Sequence, residues 1–392
     1  MTQDQDLPVA SIVRAAERLA PAIRAARDEA ERMRQTPPSL AAEITRAGIY
    51  QMYLPRSMGG PEVPPLTAFR VVEELSKADG SVGWCAMIAT ALSLNASRLA
   101  AEVGRGLAGT PADFRAAGSA RPGGRVWEIP GGYRVRGRWN FASGIQNARW
   151  LYCTCIVMDT DEPRRSAAGA PVLRAVWVPR ESVTIVDTWS VMGMRGTGSQ
   201  DFTVDDVIVP AERSCLSDDP PREAGPLYDR RAWYVHLWTP SAANALGIAR
   251  GAIDSLAEIA ATEASTMSPN LLRDRPMVQA RIAEADAIVN AARAYVFDAV
   301  GRLWRTLCAG DVPSDRDIAQ GRLAIVHAMH ESVRAVDRVF HAAGTNAIYT
   351  RLPLERAFRD VHVAVQHAAA LPSYFESAGK VLLGLRPSEP GW

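Results

Sequence analysis

Three segments of the chain carry side chains that neither a strand nor a helix requires. The first runs Gly137-Arg138-Trp139-Asn140-Phe141-Ala142-Ser143-Gly144-Ile145-Gln146-Asn147-Ala148-Arg149-Trp150. A small Ser-Gly corner between two strand-like runs exposes backbone N–H groups and one hydroxyl beside flat apolar walls. That combination suits a planar heterocycle with hydrogen-bonding edges, such as a flavin. An ordinary turn whose tryptophans belong to the core has the same composition, and the residues alone weigh the two readings about equally. The second segment is Trp189-Ser190-Val191-Met192-Gly193-Met194-Arg195-Gly196-Thr197-Gly198-Ser199. Its small residues and hydroxyls could receive a phosphate or a ribityl chain through backbone amides, or form a glycine-rich hairpin. The third holds Gly344-Thr345-Asn346, then Arg359-Asp360, then His367. On a helix Asp360, Ala364 and His367 would share a face. A lone helical histidine is more often structural than catalytic.

Other chemistries lack their residues. No Gly-x-Gly-x-x-Gly closes a strand and opens a helix, and the loose match from Gly193 to Gly198 starts no helical pattern. No Walker A sequence occurs, and Ser143 has no Gly-x-Ser-x-Gly elbow and no local base. His327-Ala328-Met329-His330-Glu331 does not have the spacing of the helical zinc motifs, so these histidines and His341 are expected to pack a bundle or a subunit contact, with no metal.

The elements that must position these segments follow from periodicity. Residues 9–110 read as helical, broken at Pro37-Pro38 and by a proline-glycine loop over 54–65, with Ser39 and the Asp79-Gly80-Ser81 turn as candidate caps. The period becomes two between Gly118 and Ser214, and Ile129-Pro130-Gly131-Gly132-Tyr133 joins two strands. The helical period then returns in four long amphipathic stretches, 241–261, 277–308, 315–344 and 354–384, which suggest an antiparallel bundle. Helices, strands, then helices is an α+β order, mainly α, with expected domains 1–115, 116–222 and 223–392.

With 392 residues, 47% hydrophobic and 22% charged, the chain can fill a globular core. Its net charge of +1 provides no field to attract nucleic acid or an anionic membrane. Residues 1–8 are polar and do not read as a signal peptide, and no apolar run could span a bilayer. Five scattered cysteines are expected to be free buried thiols, and a cytoplasmic location is expected.

Taken together, these segments resemble the acyl-CoA dehydrogenase superfamily. The resemblance spans nearly the whole chain: Leu54-Pro55-x3-Gly59-Gly60, Asp79-Gly80-Ser81-x2-Trp84, Ser143-Gly144, Met194-Arg195-Gly196-Thr197-Gly198-Ser199 with Val209-Pro210, and Arg359-Asp360. It implies an N-terminal helical domain, a middle β-barrel-like domain and a C-terminal four-helix bundle, assembled as a homotetramer. Gly137-Arg138-Trp139-x-Phe141-x-Ser143-Gly144 and Arg359-Asp360-x6-His367 look most like the oxygenase component of two-component flavin monooxygenases. The dehydrogenases carry a glutamate beyond the Arg-Asp, whereas Val361 to His367 holds no carboxylate. Without a placed base, α-proton abstraction from a thioester has no agent.

The resemblance therefore implies hydroxylation of a small organic substrate by reduced flavin (FMNH2 or FADH2) and O2 through a C4a-hydroperoxyflavin, with a separate flavin reductase as partner. His367 and Ser143 are the implied catalytic residues. Trp139, Phe141, Ser143, Gly144, Arg195, Thr197, Ser199 and Arg275 would bind the flavin, with Thr197 and Ser199 at its ribityl or phosphate region. Arg275, or Arg273 beside it, would reach the flavin of a neighbouring subunit. Trp84 and Thr90 would face the substrate. Many such monooxygenases place a histidine on the helix after Trp84. Cys85 to Leu94 has none, so a phenol-deprotonating role does not transfer. Alternatives are a dehydrogenase or oxidase of the same fold, with Glu258 or Glu263 as base, and a non-catalytic scaffold.

Overall fold

The computed structural model describes residues 6–109, 113–264 and 269–387, with the side chains of 6–9 left aside. Residues 1–5 of the polar N-terminus lie outside them. Five helices open the chain: α1 (Asp6–Met33), α2 (Pro38–Arg46), α3 (Pro65–Ala78), α4 (Gly80–Asn95) and α5 (Ala101–Ala108). Proline begins both α2 and α3, a position where its missing N–H costs nothing. Ser39 therefore lies inside α2 and is not its cap. Asp79 does cap α4, accepting from the Val82 N–H at 3.0 Å. The helix α4 is apolar all round and almost wholly buried, as a central helix must be.

Eight strands follow: β1 (Ala116–Ile129), β2 (Gly132–Ala142), β3 (Trp150–Asp159), β4 (Glu162–Pro163), β5 (Leu173–Pro179), β6 (Thr184–Val186), β7 (Gln200–Pro210) and β8 (Ser214–Leu216). They form one sheet in the order β6-β7-β2-β1-β3-β5-β8, with β4 beside β3. Every pairing is antiparallel except β1 with β3. The core of this sheet is organised by Trp139. Its ring stacks on Phe202 at 5.2 Å, and its indole N–H donates to the Thr154 carbonyl at 2.7 Å. Three glycines make room for it. A Cβ at Gly123 would lie 2.9 Å, at Gly124 2.1 Å and at Gly137 2.9 Å from the Trp139 ring. The register of β1 slips between Ser119 and Gly124, the stretch that supplies Gly123 and Gly124.

The C-terminal part contains α6 (Trp233–Thr262), α7 (Pro276–Cys308), α8 (Asp315–Ala343), α9 (Pro353–Ala364) and α10 (Ser373–Leu382). The fourth expected bundle helix is thus two. It breaks between Val365 and Pro372, where a short 3-10 turn, Ala368–Ala370, intervenes. Pro372 cannot continue a helix that precedes it. His367 stands in this break with extended backbone (φ −70, ψ 152), so it does not share a helical face with Asp360. Among the histidines expected to pack the bundle, His330 Nε2 meets the Ala370 carbonyl at 2.9 Å and His327 lies edge-on to Tyr295. Four cysteines are buried and free, but Cys308 is exposed. Among the described residues no helix is long and apolar enough to cross a membrane.

Trp139→Ala would leave a large void and an unpaired Thr154 carbonyl inside the sheet. The expected cost is about 3–5 kcal/mol, read as a large drop in Tm. A drop of only a degree or two would show that Trp139 does not organise the sheet.

Candidate functional site

Two strained loops meet back to back. The first follows β2: Phe141 has φ 63, and after Ser143 comes Gly144 with φ 77. The second precedes β7: Met194 has φ 55 and Gly198 φ 52. They are tied together by Gly144 N–H donating to the Thr197 carbonyl at 2.8 Å. The second loop also presses on α9. A Cβ at Gly193 would fall 2.4 Å from the Arg359 carbonyl oxygen, so only glycine allows that approach.

The αL conformation of Met194 is over-determined. Its N–H donates to Asp360 Oδ1 at 2.5 Å, and its carbonyl accepts from Thr197 Oγ1 (2.8 Å) and from the Trp189 indole (3.0 Å). Arg359 donates to the Met192 carbonyl at 2.5 Å and pairs with Glu31 of α1 at 3.0 Å. The Arg-Asp pair thus pins the loop to both helical parts. Asp360 is buried, and burial first, then the neighbouring Asp79, pushes its carboxyl up to about 7.

In front of the loops stands a line of polar groups. The Trp84 indole N–H, from α4, donates to Ser143 Oγ at 3.0 Å. Ser143 Oγ lies 2.7 Å from Ser199 Oγ, and Ser199 Oγ lies 2.6 Å from Thr197 Oγ1. Trp84 also meets the His367 ring edge to face at 5.2 Å. One indole therefore separates the two side chains expected to be catalytic. His367 Nδ1 accepts the Ala369 N–H at 3.2 Å, which leaves the ring proton on Nε2. Burial lowers the His367 pKa to about 4, so the imidazole is neutral at pH 7.

Other expected residues are placed differently. Trp139 is 1% exposed in the core of the sheet and lines no site; it supports the Ser143 loop from beneath. Thr197 and Ser199 are buried, and their hydroxyls are engaged inside the protein, Ser199 with Ser143 and Thr197 with Ser199 and the Met194 carbonyl, not turned outward to a ribityl or phosphate group. Thr90 is fully buried and returns its hydroxyl to the Ala86 carbonyl in its own helix, so it presents nothing to a substrate. The Arg195 side chain is drawn to the Val191 carbonyl and Glu31. Phe141 is 53% exposed, held in αL, and its ring meets Trp189 edge to face. Arg275 opens α7 near Ala264, whose carbonyl accepts from Asn346 beyond the end of α8, whereas His367 lies beside the middle of that helix. Of the candidate bases, Glu258 is exposed on α6 and Glu263 follows its end. The positioning roles of Met194 and Asp360 were not among the expectations. The Arg-Asp pair was the available signal, read there as one edge of a helical face.

Comparisons with known proteins agree with this arrangement. Residues 2–102 match the acyl-CoA dehydrogenase N-terminal domain family, and residues 240–372 match the acyl-CoA dehydrogenase C-terminal domain family. The chain belongs to the acyl-CoA dehydrogenase superfamily. It is 28% identical to an indole-3-acetate monooxygenase of Pseudomonas putida, over 94% of this chain and 92% of that one. It is 29% identical to the oxygenase component of an FADH2-dependent resorcinol hydroxylase from a Rhizobium strain, over 92% and 90%. The crystal structure of a 3-HSA hydroxylase from Rhodococcus sp. RHA1 superposes with a TM-score of 0.86 at 27% identity, covering 97% and 98% of the two chains.

Two tests follow. Phe141→Gly removes a bulky residue from αL, a conformation costing roughly 1–2 kcal/mol, so Tm should hold or rise while flavin affinity falls. A Tm loss of several degrees would show that the ring stabilises the fold. The raised Asp360 pKa makes its contribution to stability full below the ordinary carboxyl range and lost as pH rises through about 7. Between pH 5 and pH 9 the wild type should therefore lose more Tm than Asp360→Asn; parallel curves would contradict the burial argument.

Proposed function

We propose that this chain is the oxygenase component of a two-component flavin-dependent monooxygenase that hydroxylates a small organic substrate, aromatic or a natural product. The observation that carries the reading is Ser143 and His367 set on either side of Trp84, with no free carboxylate among them. Asp360, the acid nearest to His367 in sequence, accepts from the Met194 N–H. A dehydrogenase needs a placed base such as a carboxylate, and neither Ser143 nor His367, which meet Trp84, supplies one.

The residues fit a flavin. A hydroxyl with a spare lone pair, an aromatic ring held exposed in a strained backbone, and a neutral imidazole share one region. When bound, reduced flavin and O2 would supply the oxidising equivalent for hydroxylation. Ser143 would hold the polar edge of the ring at N5, with Gly144 and Phe141 beside it. His367 would donate a hydrogen bond from Nε2 and, being neutral, would orient the oxygen to be transferred without arriving as a charged acid. The Trp84 face would bound the substrate. With no histidine on α4 and Thr90 turned inward, nothing there would deprotonate a phenol.

Two-component operation requires a separate reductase. Assembly as a homotetramer would let Arg275 reach the phosphate of a neighbouring copy's flavin, a task it cannot perform from its own end of the bundle. The even charge balance fits a small-molecule partner and a cytoplasmic setting, not nucleic acid or membrane.

The test mixes the protein with anaerobically reduced flavin, then adds oxygen. Oxygen uptake should precede the return of oxidised-flavin absorbance by a measurable lag, and His367→Ala should shorten it or raise hydrogen peroxide yield. Simultaneous uptake and recolouring, as in free flavin, would sink the reading. So would a chain that purifies yellow and oxidises an acyl thioester.

A further inference from the structure

The polar groups behind the Ser143 corner form one line, and their protons give it a direction. Thr197 Oγ1 donates to the Met194 carbonyl at 2.8 Å. A hydroxyl has a single proton. In the 2.6 Å contact between Thr197 and Ser199, Ser199 is therefore the donor. Its proton committed, Ser199 accepts in its 2.7 Å contact with Ser143. Ser143 thus donates inward and also accepts the Trp84 indole N–H at 3.0 Å. One lone pair of Ser143 Oγ remains, and no proton. Both ends are fixed. An indole can only donate, and the Met194 carbonyl is held by the Asp360 clamp on its own residue.

We propose that this oriented line makes Ser143 a one-way acceptor, through which the site tells reduced flavin from oxidised flavin. The inference rests on the reading above that Ser143 faces N5. Reduced isoalloxazine carries a proton on N5 and can donate to Ser143. Oxidised isoalloxazine has a bare N5, so acceptor would face acceptor. To donate outward, the line must reverse: Thr197 turns its proton to Ser199, Ser199 to Ser143 and Ser143 to N5. Reversal forfeits the Thr197–Met194 hydrogen bond, while the Met194 carbonyl keeps Trp189 and the Thr197 amide. The discrimination amounts to one hydrogen bond, about fivefold in affinity. Trp84, Ser199 and Thr197 act as positioning residues through Ser143.

The experiment measures dissociation constants of the full chain for oxidised FMN and for anaerobically reduced FMN, and repeats both with FAD. In Ser199→Ala the proton of Ser143 has no inward acceptor and turns outward. The ratio of oxidised to reduced dissociation constants should fall about fivefold, chiefly through tighter oxidised binding. Thr197→Val leaves Ser199 donating to Ser143 and should move the ratio the same way. Thermal melts of both variants report whether the fold is intact. Equal weakening of both flavin forms in the two variants would overturn the proposal, since a purely structural line has no redox preference. Wild-type constants in Ser143→Ala would show that Ser143 does not face the ring, which removes the underlying reading and the proposal with it.

Discussion

The backbone of one residue holds this protein together at the point that matters. Met194 sits in αL, a conformation that costs a non-glycine residue roughly 1–2 kcal/mol. It stays there because its N–H is taken by a buried carboxylate and its carbonyl by an indole and a hydroxyl. Those partners come from α9 and from the loop itself, and Arg359 extends the tie to α1. The β sheet, the bundle and the first helix therefore converge on a single turn. The Ser143 corner inherits its position from that turn through Thr197 and Ser199.

The site that results is dry on one side and aromatic on the other. Ser143, Thr197 and Ser199 are almost fully buried, while Phe141 and Met192, in the same two loops, are exposed. A buried line of hydroxyls is stable only when each proton has a taker, and here each has one. The neutral His367 suits the same surroundings, because its partial burial beside the Trp84 ring disfavours an imidazolium.

Much of this was legible in the sequence. The change of period marked the strands, and the return of helical spacing marked α7 and α8 nearly to the residue, whereas α6 begins at Trp233, well before the expected start at Ser241. The Ser-Gly corner and the Met194–Ser199 loop were found from composition alone. Directions were not legible. Nothing local says that Trp139 turns into the sheet, because the space it fills belongs to Gly123 and Gly124 on another strand. Nor could spacing show that Ser199 faces inward, since Ser143, the partner that draws it, is more than fifty residues away. The break before Pro372 was missed because the apolar pattern runs through it; the proline, not the pattern, decides.

That break has a consequence for how such an enzyme can diverge. A residue within a continuous helix is locked to its neighbours by a rigid pitch, and moving it by one position rotates everything beyond. His367 is exempt from this coupling, because α9 ends before it and α10 starts anew after it. Residues can be gained or lost between Val365 and Pro372 while α9 keeps Asp360 under Met194. The His367 imidazole can thus be re-aimed while the anchoring turn stays fixed.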